Sequence, residues 1–143
     1  MKYFLGLDNG GTTTKAAIYD KTGRELCVAS MATKMLVPAS NFVERDMEEM
    51  WEANCQVIRS ALDKSGVSPE NIAGVGICGH GKGLYLWGKN GRPVRNGIIS
   101  TDNRAWKYPK KWYEEGIHKE LHGQLCQELM ACQQAALLAW FKD

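Results

Sequence analysis

The sequence has no long apolar run. Nowhere does it approach the roughly 20 apolar residues that a membrane-spanning helix needs. Its N-terminus, Met1-Lys2-Tyr3-Phe4-Leu5-Gly6-Leu7-Asp8, meets an acid and then a glycine pair too early for a secretory signal. It has no surplus of charge of one sign. Eighteen Lys and Arg stand against 16 Asp and Glu, a net of +2. That balance excludes the basic field of a nucleic-acid binder and the acid run of a solvated tail. It has no C-x-x-C pair, and its five cysteines (Cys27, Cys55, Cys78, Cys126 and Cys132) are odd in number. They are therefore expected as reduced thiols of a cytoplasmic protein, outside any disulfide or zinc framework. There is no internal repeat, low-complexity tract or linker. What is there is an ordinary globular composition. Of 143 residues, 44% are apolar and 24% charged, enough for one hydrophobic core.

The first 33 residues read as β. Tyr3 to Asp8 is a short apolar run, and Asn9-Gly10-Gly11 is turn chemistry, because Asn and Gly tolerate positive φ. Lys15 to Asp20 and Glu25 to Met31 are two further strands around Lys21-Thr22-Gly23, so an antiparallel meander is expected. Asp46 then caps a helix, with Glu49 three residues on as in a capping box, and Gly66 ends it. Met47, Met50, Trp51, Cys55, Ile58, Ala61 and Leu62 recur at helical spacing and predict one buried face, with Asn54 the polar residue on or near it. Ile72 to Cys78 reads as a buried strand, Gly83 to Trp87 as another turned by Asn90-Gly91 and Pro93, and Asn96 to Ser100 as a short one. Beyond Asp102 the pattern is helical, interrupted at Pro109 and Gly116. Leu125, Leu129, Cys132, Ala136 and Trp140 then repeat every three or four residues. The pattern runs to Asp143 without a glycine cap, as expected of a piece of a longer chain.

Three patterns are decoys. Gly74-Val75-Gly76-Ile77-Cys78-Gly79 fits the dinucleotide fingerprint G-x-G-x-x-G, but its glycines lie inside a strand and no helix follows. Gly76 to Lys82 fits a phosphate-binding P-loop up to its last position, where Gly83 replaces the magnesium-holding Ser or Thr. His118, His122 and Cys126 are spaced four apart, yet Gly116 and Gly123 argue against one rigid helix, and Glu120 is misplaced for a zinc protease motif.

The strongest feature is Gly6-Leu7-Asp8-Asn9-Gly10-Gly11-Thr12-Thr13-Thr14-Lys15. An apolar strand delivers an acid at its end. A Gly/Thr turn follows, whose N–H groups and hydroxyls suit an anion. Asp8 beside it suits Mg²⁺, directly or through water, as phosphoryl transfer requires, and Lys15 adds positive charge or faces solvent.

This segment, GLDNGGTTTKAAIYD, resembles the first phosphate motif of the superfamily of sugar kinases, actin and heat-shock chaperones. Three later segments resemble the FGGY carbohydrate kinases within it. Val43 to Trp51 is similar to the acidic entry of that family's first long helix. Ile72 to Gly83 is similar to its strand and sugar loop. Ile98 to Ala105 is similar to its Asp-x-Arg element. The Gly81 to Leu84 run and the Ser100 to Ala105 pattern look most like the xylulokinase-type members, L-xylulokinase among them.

The resemblance implies an α/β fold of the ribonuclease-H-like, actin-like ATPase class, a mixed sheet with flanking helices, of which residues 1–143 are the N-terminal portion. It implies ATP-dependent phosphorylation of a sugar hydroxyl, with ATP and Mg²⁺ as cofactors and a pentulose-type substrate. It leaves homo-oligomerisation open. Asp8 would be the magnesium-associated acid, and Gly10, Gly11, Thr12, Thr13 and Lys15 would meet the phosphates. His80, Gly81, Lys82, Asp102 and Arg104 would serve the sugar. Glycerol kinases carry Arg-Glu, and xylulokinases Met-His, where this chain has Gly81 and Lys82, so glycerol is an unexpected substrate. The family's base has no counterpart here. It is expected beyond Asp143, so the 143 residues alone are expected to be inactive. Two rival classes are a non-catalytic truncated chain and an actin-like or chaperone-like ATPase sharing only the phosphate loop.

Overall fold

Period-two alternation places Leu5 and Leu7 on one side of the first strand and Phe4, Gly6 and Asp8 on the other. The computed structural model describes residues 2–143. The chain divides into two compact units. One comprises the chain up to Lys34 together with Asp46–His80, and the other Met35–Arg45 together with Gly81–Asp143.

The first unit contains β1 (Tyr3–Asn9), β2 (Thr13–Asp20), β3 (Glu25–Ala32), the long helix α1 (Met47–Ser65) and β5 (Ile72–Gly79). A single 3₁₀ turn, Pro69–Asn71, leads into β5. The sheet order is β3-β2-β1-β5. The meander is antiparallel, as expected, and β5 joins β1 in parallel, so the sheet is mixed. On one face Leu5, Leu7, Ala16, Ile18 and Ala29 pack with Val57 and Ala61 of α1 and with Val67. Each large member of this core contributes about 1.5–3 kcal/mol when fully buried. Both ends of α1 are capped as the sequence predicts. Asp46 accepts hydrogen bonds from the backbone N–H groups of Glu48 and Glu49 at 2.8 and 3.0 Å. Gly66, at φ 65°, closes the helix in the left-handed conformation.

The second unit holds a two-residue ladder of β4 (Glu44–Arg45) against β6 (Gly97–Ile98), with helices α2 (Lys107–Glu114), α3 (Ile117–Leu125) and α4 (Gln134–Lys142). Leu84, Ile98, Ala105, Ala136 and Leu137 form its core, with Leu86, Tyr108, Trp112 and Trp140 against it. Among the described residues, no helix is long and apolar enough to cross a membrane.

Several expectations are corrected. β5 forms where predicted but is not buried: Val75 is 57% and Ile77 72% exposed, because β5 is an edge strand. Trp51 is 69% exposed, and Ala53 and Val57 fill the buried face of α1 in its place. The stretch from Gly83 to Trp87 makes only isolated bridges, Leu84 to Ile98 and Trp87 to Pro93, and no regular strand. Pro109 does not interrupt a helix. It is the third residue of α2, where its missing N–H has no intrahelical partner to lose. The apolar repeat from Leu125 to Trp140 spans two elements, with a left-handed residue at Cys126 (φ 50°) and an irregular stretch before α4.

Candidate active site

The hairpin end of the first unit gathers most of the phosphate-loop candidates. Asp8 is exposed on the sheet face opposite α1. Lys15 stands directly across from it on β2, and Cys78 across from it on β5. The Cys78 thiol donates toward Asp8 Oδ1 at 3.6 Å. Desolvation by its neighbours, and then the Asp8 charge and hydrogen bond, push that exposed thiol above its ordinary pKa. A concavity of about 610 Å³ lies over this face, lined by Asp8, Lys15, Ala17, Tyr19, Gly76 and Cys78 among others.

The turn does not use its glycines as expected. Neither Asn9, Gly10 nor Gly11 has positive φ. Gly10 is needed for closeness instead: a Cβ there would lie 2.6 Å from the Thr13 carbonyl oxygen. Around Gly11 the space is open, with no heavy atom within 4 Å of a Cβ position. Thr12 is exposed and Thr13 half-buried, and the Thr12 carbonyl accepts from the Thr33 N–H at 2.9 Å. His80 closes this unit, its Nδ1 3.3 Å from the Asn9 carbonyl oxygen.

Sequence reasoning marked Asn54 only as a polar residue on the buried face of α1. In the structure it reaches the turn. Its Nδ2 donates to the Met50 carbonyl at 2.7 Å and to Asn9 Oδ1 at 3.4 Å.

In the second unit, Gly81 is exposed and Lys82 half-buried, its ammonium 2.6 Å from the Met130 sulfur. Gly83 has φ 101°, and a Cβ there would lie 2.3 Å from the Ile98 carbonyl oxygen, so no other residue fits. The Asp-x-Arg element is buried, with Asp102 2% and Arg104 6% exposed. Asp102 Oδ1 accepts from the Arg104 backbone N–H and Nε, both at 3.0 Å. Its Oδ2 accepts from the Val43 N–H at 2.7 Å and from Arg104 Nη2 at 2.8 Å. Both oxygens thus accept hydrogen bonds from within this unit.

Glu44, which the sequence reading did not single out as a site residue, is the second carboxylate of this cluster. It accepts from Arg104 at 2.7 Å and pairs with Arg95. Its signal was an acid directly after the apolar pair Phe42-Val43, in the approach to the helix. The Arg104 guanidinium also lies over Phe42, 4.1 Å from the ring centre. Burial works against its charge, but the hydrogen bonds and charges of Asp102 and Glu44 outweigh that and raise its pKa above the ordinary value.

Two of the decoys take other roles. The G-x-G-x-x-G run lies within β5, and no helix follows it. His118 stacks on Tyr113 with ring centres 4.1 Å apart, and His122 faces Glu128 at 3.8 Å.

A mixed sheet with flanking helices is the arrangement of the actin-like ATPase fold. Ligand-bound xylulose kinase from Lactobacillus acidophilus superposes with a TM-score of 0.91 at 21% identity, over 100% of this chain and 29% of that one. Gluconate kinase from the same species gives 0.90 at 21% identity, over 99% and 28%. These likenesses define the fold. Residues 3–143 match the N-terminal domain of the FGGY family of carbohydrate kinases, and the chain belongs to that family.

Among curated relatives, the chain is 43% identical to the L-xylulose/3-keto-L-gulonate kinase of Escherichia coli (strain K12), over 99% of this chain and 28% of that protein. It is 38% identical to a probable L-xylulose kinase of Pasteurella multocida, over 100% and 30%. The chain therefore spans less than a third of the relatives it matches.

Proposed function

We propose that this chain supplies the first phosphate loop and part of the sugar site of an ATP-dependent carbohydrate kinase acting on a pentulose-type sugar. The observation that carries the reading is the placement of Asp8. It is an exposed carboxylate at a strand end, opposite Lys15 and beside a glycine turn with open space at Gly11. A hard oxygen donor of this kind fits Mg²⁺ shared with phosphate oxygens. When bound, Mg²⁺ would neutralise charge developing on the transferred phosphoryl group.

The chain's own residues bind and orient. Gly10, Gly11, Thr12 and Thr13 offer backbone N–H groups and hydroxyls to phosphate oxygens, and Lys15 adds a positive charge. His80, Gly81 and Lys82 form the sugar loop. Lys82 offers three donors to hydroxyls, and Gly81 leaves room for a sugar larger than glycerol. Asp102 and Arg104 are the further candidates to serve the sugar. Positioning supplies most of the rate in such chemistry. The five unpaired thiols support a cytoplasmic setting.

The experiment is an ADP-release assay on the intact gene product with Mg-ATP and a panel of ketopentoses, aldopentoses and glycerol. Turnover that requires a ketopentose is the expected result. ATP hydrolysis indifferent to sugar would replace this reading with an actin-like or chaperone-like ATPase. No turnover with any sugar would replace it with a non-catalytic chain.

A further inference from the structure

A long helix that packs its apolar face on a sheet gains nothing by placing an amide in that face. Asn54 sits there nonetheless, 9% exposed, between Ala53 and the buried turn that carries Val57. Its Oδ1 has no hydrogen-bond partner. A polar residue that breaks the local packing rule without full compensation marks a site where something other than stability has been selected.

The Asn54 side chain points to one place. Nδ2 bonds the Met50 carbonyl one turn back, which fixes the rotamer, and the same nitrogen reaches Asn9 Oδ1 at 3.4 Å. Asn9 is the last residue of β1, directly after Asp8 and directly before Gly10. Because side chains alternate along a strand, the side chain of Asn9 lies on the α1 face while that of Asp8 lies on the other. Holding the Asn9 side chain therefore fixes the rotation of the strand end, and with it the direction of the Asp8 carboxylate. Thr14 stands across from Asn9 in the β1–β2 ladder, fully buried, its hydroxyl likewise without a partner. The Asn9 carbonyl is approached by His80 Nδ1 at 3.3 Å.

We infer that Asn54 is a positioning residue for the nucleotide site: it anchors Asn9 from beneath the sheet and so aims Asp8 and the Gly10-Gly11 turn at the phosphates. This rests on the kinase reading above. It gives α1 a second task besides covering the sheet.

The test is a double-mutant cycle in the intact gene product, with Asn54→Leu, Asn9→Ala and the pair. KM for Mg-ATP, KM for the sugar and the melting temperature are measured for each. Asn54→Leu should raise the Mg-ATP KM about three- to tenfold, the change expected from losing one neutral hydrogen bond. The sugar KM should hold, and the melting temperature should stay level or rise, because an unpaired buried oxygen has been removed. The double variant should be little worse than either single one, since both break one contact. If Asn54→Leu does not fold, Asn54→Ser, which keeps a small hydroxyl, completes the cycle. An unchanged Mg-ATP KM in the Asn54 variant overturns the inference. So do additive effects, or a parallel rise in both KM values with a fall in melting temperature. A wild-type protein that binds no Mg-ATP overturns the kinase reading, and this inference with it.

Discussion

Arg104 grips Asp102 from two residues away: its Nε lies 2.9 Å, and its Nη2 2.8 Å, from Asp102 Oδ2. The same guanidinium reaches Glu44, 60 positions earlier in the chain, at 2.7 Å. One buried cation thus joins two carboxylates from the two chain segments of the second unit, and the planar fork of arginine makes that geometry available. Replacing it by Arg104→Ala leaves Asp102 buried without its cation, while Glu44 keeps Arg95. The expected loss is about 3–5 kcal/mol, read as a fall in the urea midpoint of the intact protein. Arg104→Lys should recover only part of it, because an ammonium cannot serve both oxygens of Asp102 and Glu44 together.

Asp8→Asn keeps the shape of the strand end and removes its negative charge. The phosphoryl-transfer rate should fall strongly, while sugar binding measured by calorimetry without nucleotide survives. An Asn variant with full activity would show that Asp8 is only a strand-end residue.

Gly10 and Gly11 should separate stability from nucleotide binding. Gly10→Ala drives a Cβ to 2.6 Å from the Thr13 carbonyl, so the turn must shift, and about 1–3 kcal/mol of stability should be lost. Gly11→Ala meets no atom within 4 Å. Its melting temperature should match the wild type, while its methyl group intrudes on the phosphates and raises the Mg-ATP KM.

Much of this was legible in the sequence because it is local. The meander, the Asp46 cap and the Gly66 stop each rest on a few neighbouring residues. The Asp8 turn was legible for the same reason. Periodicity gave the wrong face at Trp51, since it reports which residues share a side and not what covers that side. It called β5 buried because the glycines and apolar residues of IAGVGIC read alike for a central or an edge strand. The ion cluster was half-legible. Asp102 and Arg104 stood out as a short element resembling the family's Asp-x-Arg, whereas Glu44 joins them only through tertiary folding. Asn54 was visible as a polar intrusion, but its partner Asn9 lies 45 positions away.

Lys82 tests the sugar loop. Lys82→Ala should cut kcat/KM for the sugar by an amount equivalent to about 1.5–3 kcal/mol, the worth of a charged hydrogen bond. The Mg-ATP KM should change little. Unchanged sugar kinetics would assign Lys82 to packing against Met130.

Tyr85 provides a pH signature. Burial pushes its hydroxyl from the ordinary 10.0 up to about 12, although the Arg45 charge pulls the other way. The folded state thus keeps a proton that the unfolded chain has already released. Its contribution to stability is complete below about pH 10 and is lost progressively as the pH rises from there toward about 12. Spectrophotometric titration should find a late tyrosine step near pH 12, and Tyr85→Phe should remove both that step and its share of the alkaline decline.

The loop from Gly81 to Gly83 contains two glycines with opposite freedoms. A side chain at position 83 would collide with the Ile98 backbone, whereas one at position 81 would meet nothing within 4 Å. The first is a fixed hinge and the second a blank. A lineage, or a combinatorial library, can therefore write any residue at position 81 and keep the path of the chain. If position 81 faces the sugar, as proposed above, substrate preference could then drift at a position the fold does not defend, with new specificities arising by single substitutions that cost little stability.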